Sequence, residues 1–242
     1  MSRYTLILSV ATLALLLGCG DKPASKETKP APLPDKAAPD DKKAGGEAKS
    51  SGIKSIGTEW VTLFDGKTLN GWKETDFGGQ GKPKVEDGNI VLPSGAPLTG
   101  VTFTDDKILP KVDYEVECEA QRADGSDFFC ALTFPVKESH ASLVLGGWGG
   151  SLCGISSLDG EDAANNETTK SINFQNKKWY KVRVRVSPDK IEGWLDDEQI
   201  VDANIKDRRV GVRWEVESSR PLGVASYQTL GLIKNLKIRK LD

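Results

Sequence analysis

The stretch Trp179-Tyr180-Lys181-Val182-Arg183-Val184-Arg185-Val186 alternates without a break. Tyr180, Val182, Val184 and Val186 fall on one side, Lys181, Arg183 and Arg185 on the other. A β-strand turns successive side chains to opposite faces, so this pattern predicts a strand with one buried face. The same reading holds where Tyr114, Val116, Cys118 and Ala120 oppose Glu115, Glu117, Glu119 and Gln121. It holds again where Leu232, Leu236 and Ile238 sit among Lys234, Lys237 and Arg239. The glutamates at 115–119 are read as a solvated outer face. Turn pairs recur at Asp65-Gly66, Asp87-Gly88, Asp124-Gly125, Asp159-Gly160 and Asp196-Asp197. No amphipathic helix of three turns is evident. About twelve to fourteen short strands over residues 58–242 predict an all-β domain, a two-sheet antiparallel jelly-roll sandwich.

The rest of the 242-residue chain is unlike this domain. Residues 1–19 carry Arg3, then an apolar run from Leu6 to Leu17, too short to span a bilayer but sized for a signal-peptide core. The run ends in Leu16-Leu17-Gly18-Cys19, which resembles a bacterial lipobox and makes Cys19 the expected lipidation site. Acylation there implies a cell-envelope protein held to a membrane by its lipid anchor only. Gly20, where an Asp would retain such a protein at the inner membrane, favours the outer membrane or a periplasm-facing position. Residues 20–57 hold five Pro, six Ala, eight Lys, six acidic residues and no aromatic residue. Such a stretch is expected to form a disordered tether, about 35 Å in r.m.s. reach.

Charge and composition exclude several function classes. The whole chain has a net charge of −2, while the domain at 58–242 holds 24 basic and 29 acidic residues, net −5. That balance gives no electrostatic reason to expect a nucleic-acid partner. A single His rules out zinc sites built on several histidines. No nucleophile elbow, Walker loop or dinucleotide fingerprint is present. Cys118, Cys130 and Cys153 remain beyond Cys19. Cys118 and Cys130 flank the Asp124-Gly125 turn, so they are read as facing one another across a hairpin, either as a disulfide or as small buried thiols.

The segment Thr62-Leu63-Phe64-Asp65-Gly66-Lys67-Thr68-Leu69-Asn70-Gly71-Trp72 resembles the opening signature of the 3-keto-disaccharide hydrolase domain family. Val85-Glu86-Asp87-Gly88-Asn89-Ile90-Val91 resembles its second hairpin, and Asp113-Tyr114-Glu115-Val116 a following strand. Trp179–Val184 with Ile191–Asp196 resembles the late hairpin, and Ile233–Arg239 the closing strand. The resemblance implies a concanavalin A-like, glucanase-like jelly roll that cleaves glycosides oxidised at C3 of the sugar, by a hydrolase or lyase route. In the middle of the domain the sequence departs from the family's acidic pattern, reading Phe128–Phe134 and Leu143–Gly150, so no catalytic residue is carried over. The signature itself has a structural reading, with a turn at Asp65-Gly66 and Trp72 packed under the sheet.

The residues supply their own candidates. Cleavage beside a ketone needs a base for the C2 proton, an acid for the leaving oxygen and donors for the enolate. Sugar binding needs an aromatic platform with fixed polar groups. Residues 146–168 combine Trp148, set between two Gly pairs, with a long polar loop holding Asp159, Glu161 and Asn166. Asp159 and Glu161 are the candidate catalytic carboxylates, and His140, read as lying between strands, is a candidate base. Trp148, Asn166, Arg213 and Trp194 are the candidate carbohydrate-binding residues, with Arg213 read as ending a strand and Trp194 near it. No cofactor is required, although the acidic oxygens of this loop could hold a Ca²⁺. The alternatives to catalysis are a glycan-binding module and an envelope scaffold protein.

Overall fold

The computed structural model describes residues 49–242. Cys19, the signal segment and tether residues 20–48 lie outside the described residues. Fifteen strands follow one another. The first five are β1 (Val61–Thr62), β2 (Trp72–Glu74), β3 (Lys84–Glu86), β4 (Asn89–Leu92) and β5 (Leu98–Phe103). The next five are β6 (Tyr114–Asp124), β7 (Cys130–Val136), β8 (Ser139–Gly147), β9 (Leu152–Ser156) and β10 (Lys170–Ser171). The chain closes with β11 (Trp179–Ser187), β12 (Lys190–Leu195), β13 (Glu198–Asn204), β14 (Gly223–Tyr227) and β15 (Leu230–Lys240). Two short 3-10 helices, Asp106–Ile108 and Trp214–Ser219, interrupt them. The count exceeds the sequence expectation because β1 and β10 are pairings of only two residues.

The strands form two antiparallel sheets. One runs β13-β12-β11-β6-β15-β4-β3 with β1 added on β15, and the other runs β10-β9-β8-β7-β14-β5-β2. The core lies between them. Tyr180, Val182, Val184 and Val186 are buried there, opposite Ala120, Cys118, Val116 and Tyr114 in register. From the second sheet, Leu132, Phe134, Leu143, Leu145 and Ile155 complete the same apolar cluster. The signature stretch is structural: Asp65 accepts from the backbone N–H groups of Lys67 and Thr68, and Trp72 Nε1 donates to Leu63 O at 2.8 Å.

Four sequence expectations change. Residues 49–57, assigned to the tether by composition, lie against the domain: Ile56 is buried, Gly71 N donates to Lys49 O, and Lys240 N donates to Gly57 O. Asp124-Gly125 does not close a hairpin, because β6 and β7 belong to different sheets. Cys118 and Cys130 therefore enter the core from opposite sides, and with Cys153 they are free, buried thiols. The neighbouring Cys130 thiol, and then burial, hold Cys118 well above its ordinary range.

The period of β15 also slips. A bulge between Lys234 and Lys237, with Asn235 at φ 53°, lets Ile233, Leu236 and Ile238 all face inward and leaves Leu232 only half-buried. Finally, the glutamates of β6 are not a solvated face. Glu115 is 0% exposed and receives hydrogen bonds from Arg183, Arg185 and Arg239, while Glu117 is gripped by Lys181 and Lys237.

Candidate functional site

The outward face of the second sheet is built from small side chains. Val144 pairs with Gly154 on one side and Ala131 on the other. Ala131 pairs with Ala225, and Ala225 with Gly100. One row of residues no larger than Val thus crosses five strands, and a furrow follows from the missing side-chain volume. The next row, Ser156, Ser142, Thr133, Gly223 and Thr102, is also small. Thr133 and Ser142 satisfy each other at 2.8 Å. The Trp214–Ser219 helix lies over the far end of that row, where Thr102 Oγ1 donates to Ser218 O.

A cleft of about 250 Å³ occupies what remains open. Ala131 and Val144 form its floor, and Leu98, Phe128 and Tyr227 one wall. The Phe128 and Tyr227 rings brace each other at 5.6 Å between centroids. Ser156, Arg213, Glu215 and Val216 close the other side, with Trp148 and Asp127 at the mouth. The Ser156 hydroxyl is buried and has no hydrogen-bond partner.

Trp148 is held out, 45% exposed, by its turn. Its own φ is 50°, and Gly149 and Gly150 follow at 90° and 114°. Gly150 must be glycine, since a Cβ there would lie 2.7 Å from Ser126 O. Asp127 Oδ2 accepts from Gly149 N at 3.1 Å, fixing the turn from the cleft side. Arg122 fixes it from the core side, donating to Gly150 O, Phe174 O and Asn176 Oδ1. Neither residue was singled out from sequence. The available signal for Arg122 was an arginine on the inward phase of β6, where a buried cation requires several acceptors.

Arg213 lies beside this platform, its Cζ 5.6 Å from the Trp148 ring centroid. The guanidinium makes a bidentate pair with Glu215, at 3.0 and 2.5 Å, and reaches Asp162 at 2.7 Å. Burial pushes the Glu215 carboxyl up, but Arg213 pulls it down, and the net position is below the ordinary carboxylate range. Arg213 does not end a strand: only Val210 makes an isolated bridge, to Leu158, and residues 211–213 run extended into the 3-10 helix.

The other candidates are spread. Trp148 and Arg213 come together at the cleft. Asp159 and Glu161 are not among its lining residues. The Asp159 carboxylate is bound by Arg208 Nε and Arg209 N, which hold it below the ordinary carboxylate range. Asn166 spends its amide tying the loop to β9, donating to Ile155 O of that strand and to Asp162 O, and accepting from Thr168. His140 stands within β8, paired with Pro135; burial, then Arg220 and Lys111, push its imidazole below its ordinary value. Trp194 is on the outer face of the other sheet, stacked on Arg183 at 3.8 Å, with the core between it and Arg213. The acidic loop that suggested Ca²⁺ has Asp159 and Glu167 on Arg208 and Asp162 on Arg213. Among the described residues, no group of three or more His, Cys, Asp or Glu side chains is placed to hold a metal ion.

A two-sheet antiparallel sandwich of this strand order, with an aromatic-rimmed cleft on one outer face, is a jelly roll in architecture. The chain belongs to the 3-keto-alpha-glucoside-1,2-lyase-like domain family, which it matches over residues 59–239. Solved structures share the fold. Crh5 transglycosylase in complex with NAG aligns at a TM-score of 0.54 and 10% identity, over 78% of this chain and 87% of that one. The carbohydrate recognition domain of Emp46p, in a mutant form, aligns at 0.50 and 13%, over 72% and 90%. No curated protein matches the chain.

Proposed function

We propose that the cleft binds a glycoside oxidised at C3 and eliminates its aglycone across C1 and C2. The observation that carries this reading is the Arg213–Glu215 pair set beside the Trp148 platform, in a chain of this family. A C3 ketone acidifies the proton on C2. Glu215, ionised at neutral pH, is the group placed to take that proton. Arg213 is a donor for the enolate oxygen that forms at C3, where charge develops in the transition state. The enolate electrons then form the C1–C2 double bond as the C1–O bond breaks. The departing oxygen takes up a proton, so the elimination is proton-neutral overall. Trp148 supplies a face for the sugar ring.

A 3-keto-disaccharide tests the reading directly. The chain should release the aglycone and form an unsaturated ketone with ultraviolet absorbance, and Glu215→Gln should slow this by about a hundredfold or more, in line with loss of a general base. No product at high protein concentration, with sugar binding retained, would overturn the catalytic reading. That outcome defines the second reading, a glycan-binding module. It is favoured by one observation: both oxygens of Glu215 are already engaged by Arg213. We also propose that the domain sits in the cell envelope, lipid-anchored through Cys19, a reading supported by the lipobox-like Leu16-Leu17-Gly18-Cys19 after the apolar run.

A further inference from the structure

The cleft is more apolar than one sugar ring requires. Its charged groups, Asp127, Arg213 and Glu215, are gathered with Ser156 on the mouth and one side. Leu98, Ala131, Phe128, Val144 and Val216 offer no side-chain donor or acceptor. One indole extends this surface outward. Among the described residues, Trp148 and Trp214 are the exposed large apolar side chains, at 45% and 80%. Trp148 lines the cleft, whereas Trp214, next to the lining residue Arg213 in the chain, is not among the lining residues. The exposure of Trp148 is built in: Asp127 and Arg122 tie its turn from two sides. An indole kept in water by a fixed turn marks a surface that a ligand covers.

We propose that the cleft is selective for glycosides whose aglycone is a flat, apolar ring, seated against the Phe128–Tyr227 wall and flanked by the Trp148 indole. This rests on the reading of the cleft as a glycoside site. The alternative occupant of the same space is a second sugar. A second pyranose would carry several hydroxyls onto Leu98, Phe128, Ala131 and Val216, none of which can replace their water. An aryl ring loses no hydrogen bonds there and stacks edge or face on the aromatic side chains. Away from Asp127, Ser156, Arg213 and Glu215, the lining offers one further polar side-chain group, the Tyr227 hydroxyl, against the several hydroxyls of a second pyranose.

The experiment compares three ligands that share a C3-oxidised glucosyl ring: the phenyl glycoside, the methyl glycoside and a disaccharide. Each is titrated calorimetrically into the Glu215→Gln chain, so that ligand is not consumed. The phenyl glycoside should bind about tenfold more tightly than either of the others, the scale of one good aromatic contact. Phe128→Leu, which removes the ring from the wall and keeps an apolar side chain there, should bring the phenyl-to-methyl ratio to within about twofold. A disaccharide bound as tightly as the phenyl glycoside, or a ratio unchanged in Phe128→Leu, would overturn the proposal while leaving the glycoside site in place. Binding of free phenol with no binding of any glycoside would overturn the glycoside reading on which it rests.

Discussion

Glu115 shows how much a single side chain organises. It projects from β6 to the outer side of its sheet, where alternation alone predicts solvent. Its carboxylate is nevertheless covered, because β11 and β15 flank β6 and bring Arg185 and Arg239 in register with it, and Arg183 reaches it from the next outward position of β11. Trp60 and Trp194 in turn lie over these guanidiniums. Burial pushes the Glu115 carboxyl up, but Arg239, Arg185 and Arg183 pull it further down, so it stays below its ordinary range. A carboxyl with a lowered folded-state value stabilises above the ordinary range and loses that stabilisation as pH falls through the folded value. Glu115→Gln leaves three cations without their shared anion. The arginines are about a third exposed, so water screens part of the cost, and a loss of about 2–3 kcal/mol is expected at pH 7. Urea unfolding of both proteins from pH 7 to pH 3 checks this: the gap should be widest near neutrality and shrink below the ordinary carboxylate value. A gap that is constant with pH would mean that shape, not charge, makes Glu115 important.

At the scale of the element, β15 is the strand whose pattern misleads. Strict alternation from Ile238 backwards would place Leu236, Lys234 and Leu232 on the core side. The chain avoids burying Lys234 by inserting Asn235 at φ 53°, where the Asn Nδ2 donates to Glu119 Oε1 at 2.6 Å. The bulge resets the phase, and Ile233 reaches the core in place of Leu232. Asn tolerates the left-handed region better than a β-branched residue does. Asn235→Val should therefore lower unfolding stability by about 1–2 kcal/mol, and Asn235→Gly by less. Equal losses in urea melts would show that the lost side-chain hydrogen bond, rather than backbone strain, dominates. The candidate site has a similar origin. Its floor is legible only once the register places Val144 and Ala131 side by side, since each is an unremarked small residue in its own strand.

Across the whole molecule the two outer faces differ in kind. One sheet carries the Arg, Lys, Glu and Trp lattice, and the other the furrow and cleft. Trp194 and Arg213 are near in type and in expectation, but the sandwich core separates them. The described chain begins beside β2, where Lys49 O meets Gly71 N, and the expected lipid attachment site lies upstream at Cys19. Labelling cells with a radioactive fatty acid should tag the protein and move it to the membrane fraction, and Cys19→Ser should abolish both effects. Label retained in Cys19→Ser would overturn the lipobox reading.

The sequence by itself determined the fold class, the strands and most inward faces, because the period of two is imposed locally by the backbone and each buried face must be apolar along its whole length. It also determined the family, through a signature whose Asp65 turn and Trp72 anchor act within one short segment. Only the tertiary structure decided which polar residues meet. Asp162, Arg213 and Glu215 converge, Asp159 and Glu167 turn to Arg208, and Asn166 ties its loop to β9. A charged side chain takes the nearest opposite charge in space, and that neighbour is set by strand order and register, which the alternation of any single strand does not contain.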